Sequence, residues 1–157
     1  MARTRGTEQL RRAGVEHRLL EYRYGSAGGG AAEEAATLLG VEPERMFKSL
    51  VAQAGDELVF ALVAAPDALS LKKLAAACGH KAARMAARAD AERATGYQVG
   101  GISPLGSRRR LRVFVDATAQ AFPRICLNAG GRGLIVELGT AQLLEQTGAG
   151  VADLRQA

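Results

Sequence analysis

Phe47-Lys48-Ser49-Leu50-Val51-Ala52-Gln53-Ala54-Gly55-Asp56-Glu57-Leu58-Val59-Phe60-Ala61-Leu62-Val63-Ala64-Ala65 decides the architecture. Two runs dense in β-formers flank the turn triplet Gly55-Asp56-Glu57, so 47–54 and 58–65 read as a β-hairpin. Both runs are nearly continuously apolar, the pattern of strands covered on both faces. One charge, Lys48, interrupts the first run near its start. Pro66 stops the second run, and Ser70 caps a helix that reaches Cys78 and ends at Gly79.

Working upstream, 31–39 is a helix stopped by Gly40, and Pro43 opens a short turn. The stretch 15–24 reads as a strand carrying Leu19, Leu20 and Tyr22, followed by a flexible loop, Gly25-Ser26-Ala27-Gly28-Gly29-Gly30. Residues 4–13 form an amphipathic helix that Thr7 can cap and Gly14 ends. Downstream, 81–86 is ambiguous and 90–94 is helical, stopping at Gly96. A strand follows at 111–115, then a short helix or turn at 117–121. Strands at 125–128 and 134–138 make a hairpin around Gly130-Gly131-Arg132-Gly133. A last helix spans 140–146, capped by Thr140 and ended by Gly148. Six or seven strands, adjacent in pairs, with four or five helices, predict an α+β fold with a mixed sheet. With no repeat and no linker, residues 1–157 read as a single domain.

The 157 residues suit one domain, and 48% apolar with 24% charged residues is the ordinary globular balance. Aromatics are only 4%, so Ala, Leu and Val fill the core. The net charge of +5 favours polyanionic partners weakly. Cys78 and Cys126 form no disulfide framework, and the charged start lacks an apolar segment of the secretory kind. A cytoplasmic chain with free thiols and no membrane span is expected. His17 and His80 lie in no ligand spacing, so neither a metal nor another cofactor is expected. No nucleophile elbow or phosphate-binding glycine loop of the Walker type occurs. Cys78 ends a helix, where the dipole opposes a thiolate, so it is expected to be packed and inert.

Three features remain as candidates for chemistry. Lys48 heads an apolar strand, and it is either a strand-end lysine reaching water or a compact charge that contacts one substrate oxygen. The loop Gly100-Gly101-Ile102-Ser103-Pro104-Leu105-Gly106 is either a tight turn or a backbone cradle for an oxyanion. Arg108-Arg109-Arg110, with Arg112, is either a solvated hairpin or a phosphate contact.

The segment Thr95-Gly96-Tyr97-Gln98-Val99-Gly100-Gly101-Ile102-Ser103-Pro104-Leu105-Gly106 resembles the signature of the YbaK/EbsC family. Four further blocks agree in order: Phe47-Lys48-Ser49-Leu50, Leu71-Lys72-Lys73-Leu74, Val115-Asp116-Ala117, and Arg132-Gly133-Leu134 with Glu137-Leu138. Members of that family are aminoacyl-tRNA deacylases related to the editing domain of bacterial prolyl-tRNA synthetases. The resemblance implies a mixed, barrel-like sheet and a trans-editing activity on Cys-tRNA(Pro), acting as a hydrolase or by lyase-type cleavage. By the same resemblance Lys48 and Gly101 would be catalytic. Tyr22, Ser49, Gly100, Ile102, Ser103, Pro104 and Asn128 would hold substrate. Given such a substrate, the density of positive charge at Arg108, Arg109 and Arg110 makes them the expected tRNA contacts. The implied partners are the acceptor end of tRNA(Pro) and prolyl-tRNA synthetase. Three positions depart from the cysteine-editing branch: Ile135 stands for an Asp, Asn128 for a Ser and Ala31 for a Phe. Two other readings stay open, a deacylase for Ala or Ser esters and a non-catalytic tRNA- or synthetase-binding module.

Overall fold

A computed structural model describes residues 3–26 and 30–157. In chain order the elements are α1 (Arg5–Ala13), β1 (His17–Glu21), α2 (Ala31–Leu39), β2 (Met46–Ala54), β3 (Glu57–Ala64), α3 (Leu71–Cys78), β4 (Ala83–Met85), α4 (Arg88–Thr95), β5 (Arg112–Asp116), β6 (Arg124–Asn128), β7 (Leu134–Gly139), α5 (Thr140–Thr147) and β8 (Gly150–Ala152). Short 3-10 turns occupy Pro43–Arg45 and Ala117–Ala121. The loop read at residues 25–30 falls partly outside the described residues.

One mixed sheet of eight strands runs β1-β7-β6-β2-β3-β5-β8, with β4 pairing β2 beside that path. The α+β class and mixed sheet are as expected, but the sheet holds eight strands and is open, with β1 and β8 at its ends. β2 and β3 form the expected antiparallel hairpin. Alternate residues of β3 feed two cores: Phe60, Leu62 and Ala64 enter one, Val59, Ala61 and Val63 the other. Their unbroken apolar run follows from this double burial. Leu10 of α1, Ala91 and Ala94 of α4, and Leu143 of α5 pack on the first face. Leu74 and Cys78 of α3 pack on the opposite face. There α2 covers Met46, Cys126 and Ile135 with Ala35 and Ala36.

The two short strands were invisible in sequence because three residues carry no period. β4 exists through its pairing with Ala52–Ala54 of β2, and β8 through its parallel pairing with β5. Two caps are corrected. Thr4, not Thr7, caps α1: its hydroxyl accepts from Thr7 N–H at 3.0 Å, while the Thr7 hydroxyl accepts from Thr4 N–H at 2.9 Å. This reciprocal capping box places the cap three residues earlier. Gly139 takes the capping position of α5, and Thr140 is its first helical residue, donating its hydroxyl to Phe122 C=O at 2.6 Å.

Asp116 is buried and ties the C-terminus to the sheet. One carboxylate oxygen accepts from Thr118 N–H and hydroxyl at 3.1 and 2.6 Å, the other from Leu154 N–H at 2.8 Å. Asp116→Ala orphans the buried Leu154 N–H, at a cost of about 1–3 kcal/mol, and releases the half-buried Thr118 donors to water. The expected net loss is about 2 kcal/mol, read as a lower urea midpoint at unchanged slope. An unchanged midpoint would show that the C-terminal strand contributes nothing to global stability.

Candidate active site

The site arises from a gap in the sheet. On the side away from β3, β2 pairs β6 only through Met46 and Phe47, and β4 only through Ala52–Ala54. Ala86 N–H closes one more position by donating to Val51 C=O at 3.1 Å. Lys48, Ser49 and Leu50 are therefore left on an open strand edge. β6 stops at Asn128, where the chain turns toward β7, and β4 is too short to reach further. A cavity of about 460 Å³ occupies the gap, a size that suits a small-molecule moiety.

Successive strand residues point to opposite faces, so Lys48 lies on the Met46 side and Ser49 on the Phe47 side. Both line the cavity because it wraps around the edge. The Lys48 ammonium donates to Ala65 C=O at 3.3 Å and forms no ion pair with the described residues. The Ser49 hydroxyl is buried and is the one such side-chain atom among the described residues with no hydrogen-bond partner in the protein. A buried hydroxyl in that state costs free energy until a ligand or solvent atom completes it.

The loop that precedes β5 forms a second wall, through Gly100 and Ile102. It is pinned from several directions. Arg5 of α1 donates to Gly106 C=O at 2.9 Å and to Thr95 C=O at 2.8 Å, and Gly106 N–H donates to the Gln9 side chain at 2.8 Å. Tyr97 hydroxyl donates to Leu105 C=O at 2.7 Å. Asn128 organises both this loop and the β6–β7 turn: its amide nitrogen donates to Gly100 C=O at 3.3 Å and to Gly131 C=O at 2.9 Å. Its amide oxygen accepts from Gly130 and Gly131 N–H at 2.6 and 2.9 Å.

The residues singled out from sequence thus separate. Tyr22, Lys48, Ser49, Gly100, Ile102 and Asn128 line one cavity. Gly101, Ser103 and Pro104 stand behind the wall. Gly101 N–H is committed to Gln98 C=O at 2.8 Å, so that amide is not free to hold an oxyanion in this conformation. The Ser103 hydroxyl accepts from Leu105 N–H at 3.1 Å and is buried. Arg108, Arg109 and Arg110 lie away from the mouth. Arg108 and Arg109 N–H groups donate to Thr95 and Ala94 C=O at the far end of α4, whereas Arg88 at its near end lines the cavity. Sequence reasoning missed Arg88, Arg132 and Tyr24. A usable signal for Arg132 was its place as the one cation in a turn of three glycines.

The walls also limit the chemistry. Tyr22 lines the cavity with its hydroxyl aimed at Ala31 C=O, 3.4 Å away. Burial, followed by the nearby Glu34 and Tyr24, raises its pKa, so it acts as a neutral donor. Neither histidine reaches the site: His80 bonds Glu57 at 2.7 Å, and His17 lies 2.8 Å from Val15 C=O. Both cysteines are free, buried and outside the cavity wall. Burial pushes the Cys126 thiol up to about 11 and raises Cys78 as well. The lining is mainly apolar, with Met46, Leu50, Ala31, Ala32 and Ile135, and its one carboxylate among the described residues is Glu33.

Residues 27–145 match the model of the aminoacyl-tRNA editing domain, and the chain belongs to that family. Among its relatives, a protein of Enterococcus faecalis provisionally named Cys-tRNA(Pro)/Cys-tRNA(Cys) deacylase EbsC is 36% identical over 126 residues, covering 79% of this chain and 76% of that one. A proline–tRNA ligase of Limosilactobacillus fermentum is 30% identical over 111 residues, 68% of this chain but 19% of the ligase. A crystal structure described as a candidate trans-editing enzyme for prolyl-tRNA synthetase superposes with a TM-score of 0.86 at 27% identity, over 98% of this chain and 96% of that one. The family expectation drawn from the glycine loop and the Lys48 block is thereby met. Helix α1, which pins the glycine loop, lies outside the matched residues. Among the described residues no helix is long and apolar enough to cross a membrane.

Proposed function

We propose that the protein is a trans-editing deacylase that cleaves the ester joining cysteine to tRNA(Pro). The supporting observation is the open edge of β2, which brings a cation and a partnerless hydroxyl to one cavity. Lys48 contacts a ribose or phosphate oxygen of the tRNA terminus and fixes the ester. The backbone of Gly100 and Ile102, rather than Gly101, faces the carbonyl oxygen as charge develops there. Ser49 completes its hydrogen bonding on a polar atom of the aminoacyl group.

Among the described residues no histidine or cysteine lines the cavity, and in this reading the nucleophile comes from the substrate. The cysteinyl thiol attacks its own carbonyl carbon, the C–O bond to the ribose breaks, and the ribose oxygen takes the thiol proton. The cyclic thioester so formed is hydrolysed by water to free cysteine. Holding both groups in one molecule supplies much of the barrier reduction. An S-methylcysteinyl ester on the same tRNA is expected to be stable. Equal cleavage of the blocked and free thiol esters would transfer the attack to water.

One observation favours a second reading. Ile135, Met46 and Ala31 give an apolar floor that also accommodates an alanyl ester. That ester needs water as nucleophile, and Glu33 is the lining group able to take its proton. Rates on Cys-, Ala- and Ser-tRNA(Pro), measured side by side, separate the two.

The acceptor stem would run along α4 from the mouth toward Arg108, Arg109 and Arg110. Replacing all three with Gln is expected to weaken tRNA binding. It should also shallow the slope of log affinity against log salt by about 0.7–0.9 for each phosphate no longer neutralised. An unchanged slope would remove these arginines from the footprint. Prolyl-tRNA synthetase is the proposed source of the mischarged substrate, which places the reaction in the cytoplasm.

A further inference from the structure

Exposed apolar surface is not scattered on this molecule. Five large hydrophobic side chains are exposed among the described residues, and three of them, Tyr24, Met85 and Val99, line the mouth of the cavity. Tyr24 is 40% exposed. It is also fixed. The Arg132 guanidinium lies 5.1 Å from the centre of its ring, and Arg132 Nε donates to Val99 C=O at 3.0 Å. Val99 N–H in turn donates to the Glu92 carboxylate at 2.8 Å, and Arg88 pairs with that carboxylate at 3.5 Å. The phenol edge of Tyr24 rests directly on Gly100, where a Cβ would collide with its hydroxyl and ring. A linked chain therefore holds a flat aromatic surface, backed by a cation, at the lip of the glycine wall.

A planar, π-faced group with anionic neighbours fits such a lip. The aromatic ring and the guanidinium offer stacking, and Arg132 offers positive charge. Glu92 is already neutralised by Arg88 and the Val99 amide. We propose that Tyr24 and Arg132 form a stacking platform for the terminal adenine of the tRNA, outside the cavity that takes the aminoacyl ester. This assignment rests on the proposed aminoacyl-tRNA substrate, since every tRNA ends in adenosine and its ribose carries the ester. Tyr24 acts as a binding and positioning residue, not as a catalytic one. The platform is tolerant of base identity, because every base has a π-face.

The test compares binding of two uncharged acceptor-stem hairpins, one ending in adenosine and one with an abasic terminal nucleotide. The wild-type protein is expected to prefer the adenosine end by about 5- to 150-fold, the range for one stacked base. Tyr24→Ala should lose most of that preference. Tyr24→Phe, which keeps the ring, should retain the preference. The ratio between hairpins is internal to each variant, so a loss of folded protein does not imitate the result. No preference in the wild type, or an undiminished preference in Tyr24→Ala, would overturn the platform. Failure of the deacylase reading looks different: the adenosine preference would persist while no aminoacyl-tRNA is cleaved.

Discussion

Lys48→Ala is expected to lower single-turnover deacylation by about 10²–10³-fold, the loss typical of removing one preorganised electrostatic interaction. The lysine lies on an unpaired strand edge, and its ammonium is held by the 3.3 Å hydrogen bond to Ala65 C=O. Its removal therefore takes little from the fold, within about 0.5 kcal/mol, as for substitutions away from core features. The pair of readouts matters: activity collapses while the thermal midpoint holds. Lys48→Arg should recover only part of the activity, because a planar fork does not replace a compact point charge. Normal turnover by Lys48→Ala would remove the lysine from the reaction.

Gly101→Ala is the second large effect, and it works through backbone. A Cβ at Gly101 would sit 2.7 Å from Arg132 N and 2.8 Å from Gly131 C. Neither atom can yield cheaply, because Asn128 clamps the same turn through Gly130 and Gly131 N–H. Overpacking of this kind costs about 1–3 kcal/mol. At this chain length that is about 2–12 °C in thermal midpoint. The two walls must also separate, carrying Gly100 and Ile102 away from Lys48. A displacement near 1 Å can cost on the order of 10²-fold in rate. Deacylation should therefore fall by about 10- to 100-fold at a temperature where the variant is folded. Full activity in a folded Gly101→Ala protein would show that the loop does not position the ester.

The hairpin and its double burial were legible because a long apolar run with a turn triplet has few alternatives. β4 and β8 were not, since they exist only where β2 and β5 offer an edge. Lys48 stood out as a charge in an apolar strand. The cavity it enters depends on where β6 and β4 stop, which no local pattern announces. The glycine loop was readable as a tight approach, and Gly101 does lie close to a neighbouring backbone. Its amide, though, bonds Gln98 within the turn, a choice set by backbone dihedrals rather than residue types. The arginine run drew attention by density, whereas Arg88 lines the cavity and Arg132 packs on Tyr24 at its mouth, each carried there by a different element.

Release of cysteine from Cys-tRNA(Pro) by the wild-type protein, timed against Pro-tRNA(Pro) and Ala-tRNA(Pro) under single-turnover conditions, bears most directly on the central claim. Rapid loss of the cysteinyl ester with the prolyl ester spared is the predicted result. Persistence of all three esters in the presence of folded protein would contradict it.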